Sequence, residues 1–385
     1  MDANQIKRQM AELFSTLADG LESDGFPREV RVALTGIGSE HGEEEMMAAA
    51  VQAREAGIHV LYLGTLQAGG VETVSALTEA EAHSRMEELL DSGRVDAAVT
   101  MHYPFPVGVS TVGLSVTPGR GRPMFLATTT GTSAADRVEG MIRNCIAGVI
   151  AAKAYGIANP SLGILNVDGA RQTEGALRQL QKGGYELTFA SSGRADGGCI
   201  MRGNDVITGA PDIMVTDPLT GNVLSKMLAA FQSGGSFETA GFGYGPGIGR
   251  EYHRLVLILS RASGAPVAAN AIRYAARLVR GQVFQIADRE YAAAEQAGLE
   301  GVVGSLKRKG APQERSKVAA PPEEVVTAAL TGIDILDLED AVRVLWAGGI
   351  YAQSGMGCTG PVILVSEKNF ELAAACLRRE HYLPD

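Results

Sequence analysis

No stretch of this 385-residue chain reaches the ~18 uninterrupted apolar residues of a membrane span, and its longest apolar region, Cys145–Ala158, is broken by Lys153. The N-terminus, MDANQIKRQMAELF, lacks the apolar core of a targeting peptide, so a cytoplasmic location is expected. Cysteine is scarce: Cys145, Cys199, Cys358 and Cys376 form no CxxC pair and no disulfide-dense pattern, as expected of reduced thiols. His and Cys show no metal-ligand spacing, so neither a metal nor a cofactor is expected. Basic residues are also in deficit, 34 Lys+Arg against 44 Asp+Glu, and a net charge of −10 opposes nucleic-acid binding. Three nucleotide or hydrolase signatures are missing as well. There is no GxxxxGK[ST], no GxSxG, and GFGYGPGIGR (Gly241–Arg250) breaks the GxGxxG register at Pro246 and Ile248. That segment reads as a plain turn or as a flexible loop whose amides could approach an anion.

What is abundant is glycine, 48 residues or about 12% against a usual ~7%, with no G-X-Y period. In a chain with 45% hydrophobic and 20% charged residues this points to many tight strand-to-helix turns rather than to disorder. Short apolar strands alternate with longer helical patterns: Val30–Thr35, Ile58–Gly64, Val95–Met101, Met124–Thr128, Ser161–Val167, Pro211–Thr216 and Leu255–Ser260 are expected strands. The expected helices include about Glu44–Ala56, Arg137–Tyr155, Glu174–Gln181 and one entered through Asp217–Lys226. The alternation indicates an α/β fold with a mostly parallel sheet covered on both faces. Before it, Ile6, Met10, Leu13, Phe14, Leu17 and Leu21 recur at helical spacing, a pattern for packing on the chain's own core or for a subunit contact. Four units are expected: an N-terminal helix (1–29), an α/β core (30–303), an exposed connector rich in Pro, Lys and Arg (304–324), and a C-terminal α/β segment (325–385).

Two strand-to-helix junctions are candidate anion sites, because a helix N-terminus offers unpaired N–H groups and the positive end of a dipole. In DPLTGNVLSK, Thr220, Gly221 and Asn222 sit where the helix should start, with Lys226 about a turn inside. Ordinary N-capping by Thr220 or Asn222 explains the same residues. The other junction is GIGSEHG, with Gly38, Ser39, Glu40 and His41 as capping or site groups. Among the cysteines, Cys145 and Cys376 read as packing residues and Cys199 is ambiguous. Cys358 stands apart in SGMGCTGP, where Gly357, Thr359 and Gly360 leave the sulfur unshielded. It reads equally as a small residue in a tight turn and as a thiol whose loop amides lower its pKa and hold an oxyanion. His41 and His102 are better placed as bases than His59, His83 or His381, and His253 lies beside the glycine-rich segment.

The order of three segments then carries a resemblance. VALTGIGSEHGEEEMMAAAVQA, SLGILNVDGARQTEGALRQL and PDIMVTDPLTGNVLSKMLAAF resemble the phosphate acyltransferase family, with its MGGD-type turn, GLLNxG strand and DGFxGN-K segment. Here Ser39-Glu40 replaces the usual Gly-Asp, and the central turn reads Asp217-Pro218-Leu219. The resemblance implies the two-domain α/β/α fold of isopropylmalate dehydrogenase and phosphotransacetylase. With the C-terminal Gly-Cys-Thr-Gly-Pro segment added, the chain resembles the alpha subunits of component C of the glycine/sarcosine/betaine reductase complex. In that family the matching cysteine carries acetyl as a thioester and yields acetyl phosphate, a role the resemblance places on Cys358. It implies general phosphate or acyl-phosphate binding for Thr220, Gly221, Asn222 and Lys226. It further implies inorganic phosphate as a substrate, and a beta subunit and selenoprotein A as partners.

Overall fold

The computed structural model describes residues 14, 29–193, 197–309, 318–333, 337–357, 360–380 and 382–383. The expected N-terminal helix, Phe14 excepted, and both Cys358 and Thr359 lie outside the described residues.

The first half alternates β1 (Arg31–Thr35), α1 (Glu43–Glu55), β2 (His59–Gly64), β3 (Glu72–Ser75), α2 (Glu79–Asp91) and β4 (Ala97–Thr100). Next come β5 (Val109–Val116), β6 (Pro123–Thr132), α3 (Arg137–Tyr155), β7 (Ser161–Leu165) and α4 (Ala170–Lys182). The short β8 (Thr188–Phe189), β9 (Ile200–Met201), α5 (Gly203–Thr208) and β10 (Ile213–Val215) lead into α6 (Pro218–Ala230). The chain returns through β11 (Gly245–Ile248) and β12 (Val256–Ile258) to α7 (Ala265–Arg280), α8 (Val283–Gln296) and α9 (Leu299–Lys309). A smaller piece follows, with β13 (Ala328–Thr331), α10 (Leu338–Ala347), β14 (Ala352–Gly357), β15 (Gly360–Val365) and α11 (Phe370–Arg379).

The fold is mixed α/β, as expected, around one 12-stranded sheet of order β3-β2-β1-β4-β12-β11-β5-β6-β10-β7-β8, with β9 on β7. One parallel block runs through Ala33↔Leu61, Ala33↔Ala98 and Val99↔Leu257. A second runs through Leu126↔Met214 and Met214↔Gly163. Between them β11 is antiparallel to both β12 and β5, and β5 to β6, so the chain reverses direction at the junction of the two blocks.

The longest helix, α3, is buried on nearly every side because it is covered by sheet and by α7 and α8. Asp136 caps it through Oδ1, which accepts Glu139 N–H at 2.9 Å, and Gly156 ends it in the left-handed region at φ 110°. Truncating a core side chain on α3, such as Ile146, would cost about 2–5 kcal/mol.

The structure departs from the sequence reading at several elements. Within the glycine-rich segment, Gly245–Ile248 is neither turn nor flexible loop but the buried strand β11. A Cβ on Gly245 would lie 1.8 Å from Val112 O, and one on Gly247 2.4 Å from the Phe105 ring, so glycine lets this strand fit between its neighbours. The SGMG segment, expected as a tight turn, lies in strand β14, and in the larger sheet β5 goes unseen because its Ser, Thr and Gly residues mute the apolar signal. Finally, α9 continues through residues 304–309, where a connector was expected.

Candidate functional site

Parallel pairing puts the carboxyl ends of β1, β4 and β12 on one edge of the sheet, the edge where open α/β folds hold ligands. Thr35 Oγ1 donates to Thr100 Oγ1 at 2.8 Å, and His83 Nε2 lies 3.0 Å from that same Thr100 oxygen. Burial pushes the His83 imidazole below its ordinary pKa, against the raising effect of the Glu79 carboxylate. Beyond β12, Arg261 donates from Nη1 and Nη2 to the two oxygens of Glu79, each at 2.7 Å, and from Nη1 to Gly38 O at 2.9 Å. That guanidinium holds the Glu79 carboxyl below the usual carboxylate range.

The β1–α1 loop is fixed by the same arginine. Glu40 N–H donates to Arg261 O at 2.9 Å, while Ser39 Oγ accepts His41 N–H at 3.1 Å. Gly38 has φ +103°, and a Cβ there would stand 2.9 Å from both Arg261 Nη1 and Glu79 Oε1. Gly38 N–H has no acceptor among the described residues, whereas the turn at residues 37–38 directs Ser39 N–H back toward Gly36 O.

Facing this loop is Glu238, only 5% exposed, whose Oε2 accepts from Ser263 Oγ at 2.8 Å. Burial raises its pKa, against lowering by Ser263, Ser260 and the Lys226 ammonium, while Glu40 adds to the rise. The Tyr244 hydroxyl is also buried and turns toward Glu238 and Ser260 without closing a hydrogen bond among the described residues. The ring of His41 meets that of Phe237 edge-on at 5.4 Å, bringing the β1–α1 loop against this segment.

The second expected anion site needs correction. Helix α6 starts at Pro218, and Asp217 is its N-cap: Oδ1 accepts the N–H groups of Leu219 (3.1 Å) and Thr220 (3.0 Å). Oδ2 accepts from Thr220 Oγ1 at 2.7 Å, and Gly221 N–H donates to Asp217 O. A carboxylate of the chain itself therefore already occupies the helix start, and Thr220 is in the first turn rather than at the cap. Gly221 is there for packing, since its Cβ would fall 1.8 Å from Thr128 O. Asn222 is half-buried with no side-chain hydrogen bond among the described residues. Lys226 lies six residues beyond Thr220, about 9 Å along the axis. Its ammonium is exposed and makes no ion pair among the described residues.

Of the described cysteines, Cys145 and Cys199 are buried, and burial raises both thiols, Cys199 to about 12. Cys376 on α11 is half-buried against the small C-terminal core. In the last cross-strand pair of β14 and β15, Gly357 faces Gly360. Among the described residues, the only hydrogen bond from residues 318–383 to the larger sheet's layers is Gln172 Nε2 to Asp337 at 3.3 Å. His253 lies before β12, at the end away from Ser260, against Phe284. The sequence reading missed Arg261, Glu238 and the Thr35–Thr100–His83 set. Arg261 and the two threonines follow or end expected strands, which was a usable signal. For Glu238 there was none.

Residues 30–364 match the family described as fatty acid synthesis protein. The chain is 52% identical over 380 residues to the glycine/sarcosine/betaine reductase complex component C subunit alpha of Peptoclostridium acidaminophilum, covering 97% of this chain and 98% of that one. It is 26% identical over 233 residues to the phosphate acyltransferase of Thermus thermophilus, covering 51% of this chain and 70% of that one. Among solved structures, a branched-chain phosphotransacylase from Enterococcus faecalis aligns at TM-score 0.46 and 15% identity, over 65% of this chain and 99% of that one. Among the described residues no helix is long and apolar enough to cross a membrane.

Proposed function

Because the chain belongs to the fatty acid synthesis protein family, we propose that it is the acyl-transferring alpha subunit of a component C, passing acetyl from a Cys358 thioester to inorganic phosphate. The observation that carries this reading is the 52% identity to a component C alpha subunit along nearly the whole of both chains. The burial of Cys145 and Cys199 favours Cys358 as the nucleophile, since a buried thiol of raised pKa holds almost no thiolate at neutral pH.

The chemistry asks little beyond positioning. A phosphate oxygen attacks the thioester carbonyl, the C–O bond forms, the C–S bond breaks, and acetyl phosphate leaves as the thiol is restored. The amides of Gly357, Thr359 and Gly360 are the donors for the tetrahedral oxyanion. Phosphate is held by the Gly38–Ser39 turn, where Gly38 N–H is open, and by the Lys226 ammonium, while Thr220, Gly221 and Asn222 set the position of α6. Acetyl reaches Cys358 from a carboxymethylated selenoprotein A with the help of a beta subunit, and any reductive step belongs to those partners. Cys358→Ala tests the reading: phosphate-dependent acyl turnover is expected to vanish with folding unchanged, and retained turnover would contradict it.

Identity to phosphate acyltransferases across half the chain favours a second reading, direct transfer from an acyl carrier thioester to phosphate. Activity that survives complete thiol alkylation would select it.

A further inference from the structure

We propose that two copies of this chain pair through the outer face of α6. The helix is built inside out. Its buried residues are Gly221 and Ser225, one turn apart, and the glycine brings the helix backbone close against Thr128 O of β6. Leu224 and Leu228 are only half-buried, packed on the cluster of Met124, Leu126 and Met214. The large side chains of Leu219, Val223, Met227 and Phe231 face outward instead, at 75%, 47%, 65% and 71% exposure. Their spacing of four residues sets them on one ridge along α6 and into the single turn, Phe231–Ser233, that follows it. A helix that met only its own sheet would carry its large apolar residues on the inner face.

Area and charge both point to a second copy as the occupant. The four side chains leave on the order of 500 Å² of apolar surface open, more than half of the ~800 Å² that each partner gives to a stable interface. In a chain with 20% charged residues, the twenty positions between Asp217 and Glu238 hold a single charge, Lys226, and no acid. Two copies of net charge −10 repel each other, so their contact must fall where acidic side chains are missing, and this face meets that condition. The ridge is also complementary to itself. Rows of side chains four apart interdigitate with the same rows of another helix at a crossing of about −50°. A two-fold axis at the level of Ser225, midway along the row, sets Val223 of each chain against Met227 of the other, with Leu219 and Phe231 at the two ends.

Sedimentation velocity of the full chain tests the pairing. At about 10 µM the wild type is expected to sediment at twice the mass of one chain. Met227→Glu puts an unpaired carboxylate into each half of the contact and should weaken the dimer about 100-fold or more. Leu372→Glu, on α11 and 61% exposed, should leave it unchanged. A second readout places no charge in the contact: Val223→Cys mixed with Met227→Cys should form an inter-chain disulfide between those positions on mild oxidation, as peptide mapping would show. A monomeric wild type would overturn the proposal, and if Met227→Glu then proved less stable, the face would belong to the chain's own residues 1–28. A dimer that Met227→Glu leaves intact, or a dimeric mixture without the disulfide between positions 223 and 227, would overturn it as well.

Discussion

Replacing Gly221 by alanine sets two effects against each other, and the structure decides which wins. Alanine gains up to ~1 kcal/mol over glycine within a helix. Against that, the new Cβ would stand 1.8 Å from Thr128 O and 2.9 Å from Thr128 C, where ordinary contact begins at 3.4 Å. Both atoms are backbone of β6, buried in the sheet, so no side chain can swing aside and α6 or the strand must move. Overpacking of this kind costs ~1–3 kcal/mol, and an immovable neighbour puts this case at the upper end. The net expectation is a loss of ~1–2 kcal/mol, accompanied by slower phosphate transfer because α6 carries Lys226. Gly175→Ala on α4 is the matched control: nothing lies within 4 Å of its Cβ, so propensity alone should stabilise the protein by ~0.5–1 kcal/mol. Urea unfolding of the two variants should shift the midpoint in opposite directions. Equal or greater stability of Gly221→Ala would refute the close approach of α6 to β6 and the structural role given to this glycine.

Asp217→Ala should cost ~1–2 kcal/mol in urea unfolding, because it strips the cap from the amides of Leu219 and Thr220. In the folded, reduced chain iodoacetamide should modify Cys358 and spare Cys145 and Cys199 until denaturant is added, as peptide mapping would reveal. Glu79 has a lowered folded pKa, first through its hydrogen bond from Arg261, so it adds stability above its unfolded value near 4.5 and loses it as pH falls through the folded one. Denaturation across that range should therefore find the advantage of wild type over Glu79→Gln shrinking in acid, and a gap independent of pH would contradict the pairing.

Strong periodicity was legible in the sequence wherever burial is simple. Arg137–Tyr155 reads as a helix end to end because apolar residues surround it, and β2, β7 and β10 read as strands because they are apolar on both faces. The register reversal at β11 was hidden, since a glycine-rich strand has the composition of a turn and only the crowding of Val112 and Phe105 explains it. At α6 the sequence reading offered two capping candidates, Thr220 and Asn222, and Asp217 caps instead because the proline after it starts the helix earlier. The site was half legible. Gly38 and Ser39 lie in the loop after β1 as expected, but ahead of the helix start, since α1 begins at Glu43 with Gly42 as its cap, whereas the hydrogen bond from Ser263 to the buried Glu238 arises from folding the segment before β11 onto the one before α7, and sequence spacing carries no trace of it.

The central claim is a covalent acetyl group on Cys358. Intact mass and peptide mapping of the reduced, folded chain after incubation with acetyl phosphate, alone and with partner subunits, test it most directly. The account predicts one acetyl increment on the Cys358 peptide, discharged by added phosphate. No increment, or one that phosphate leaves in place, would contradict it.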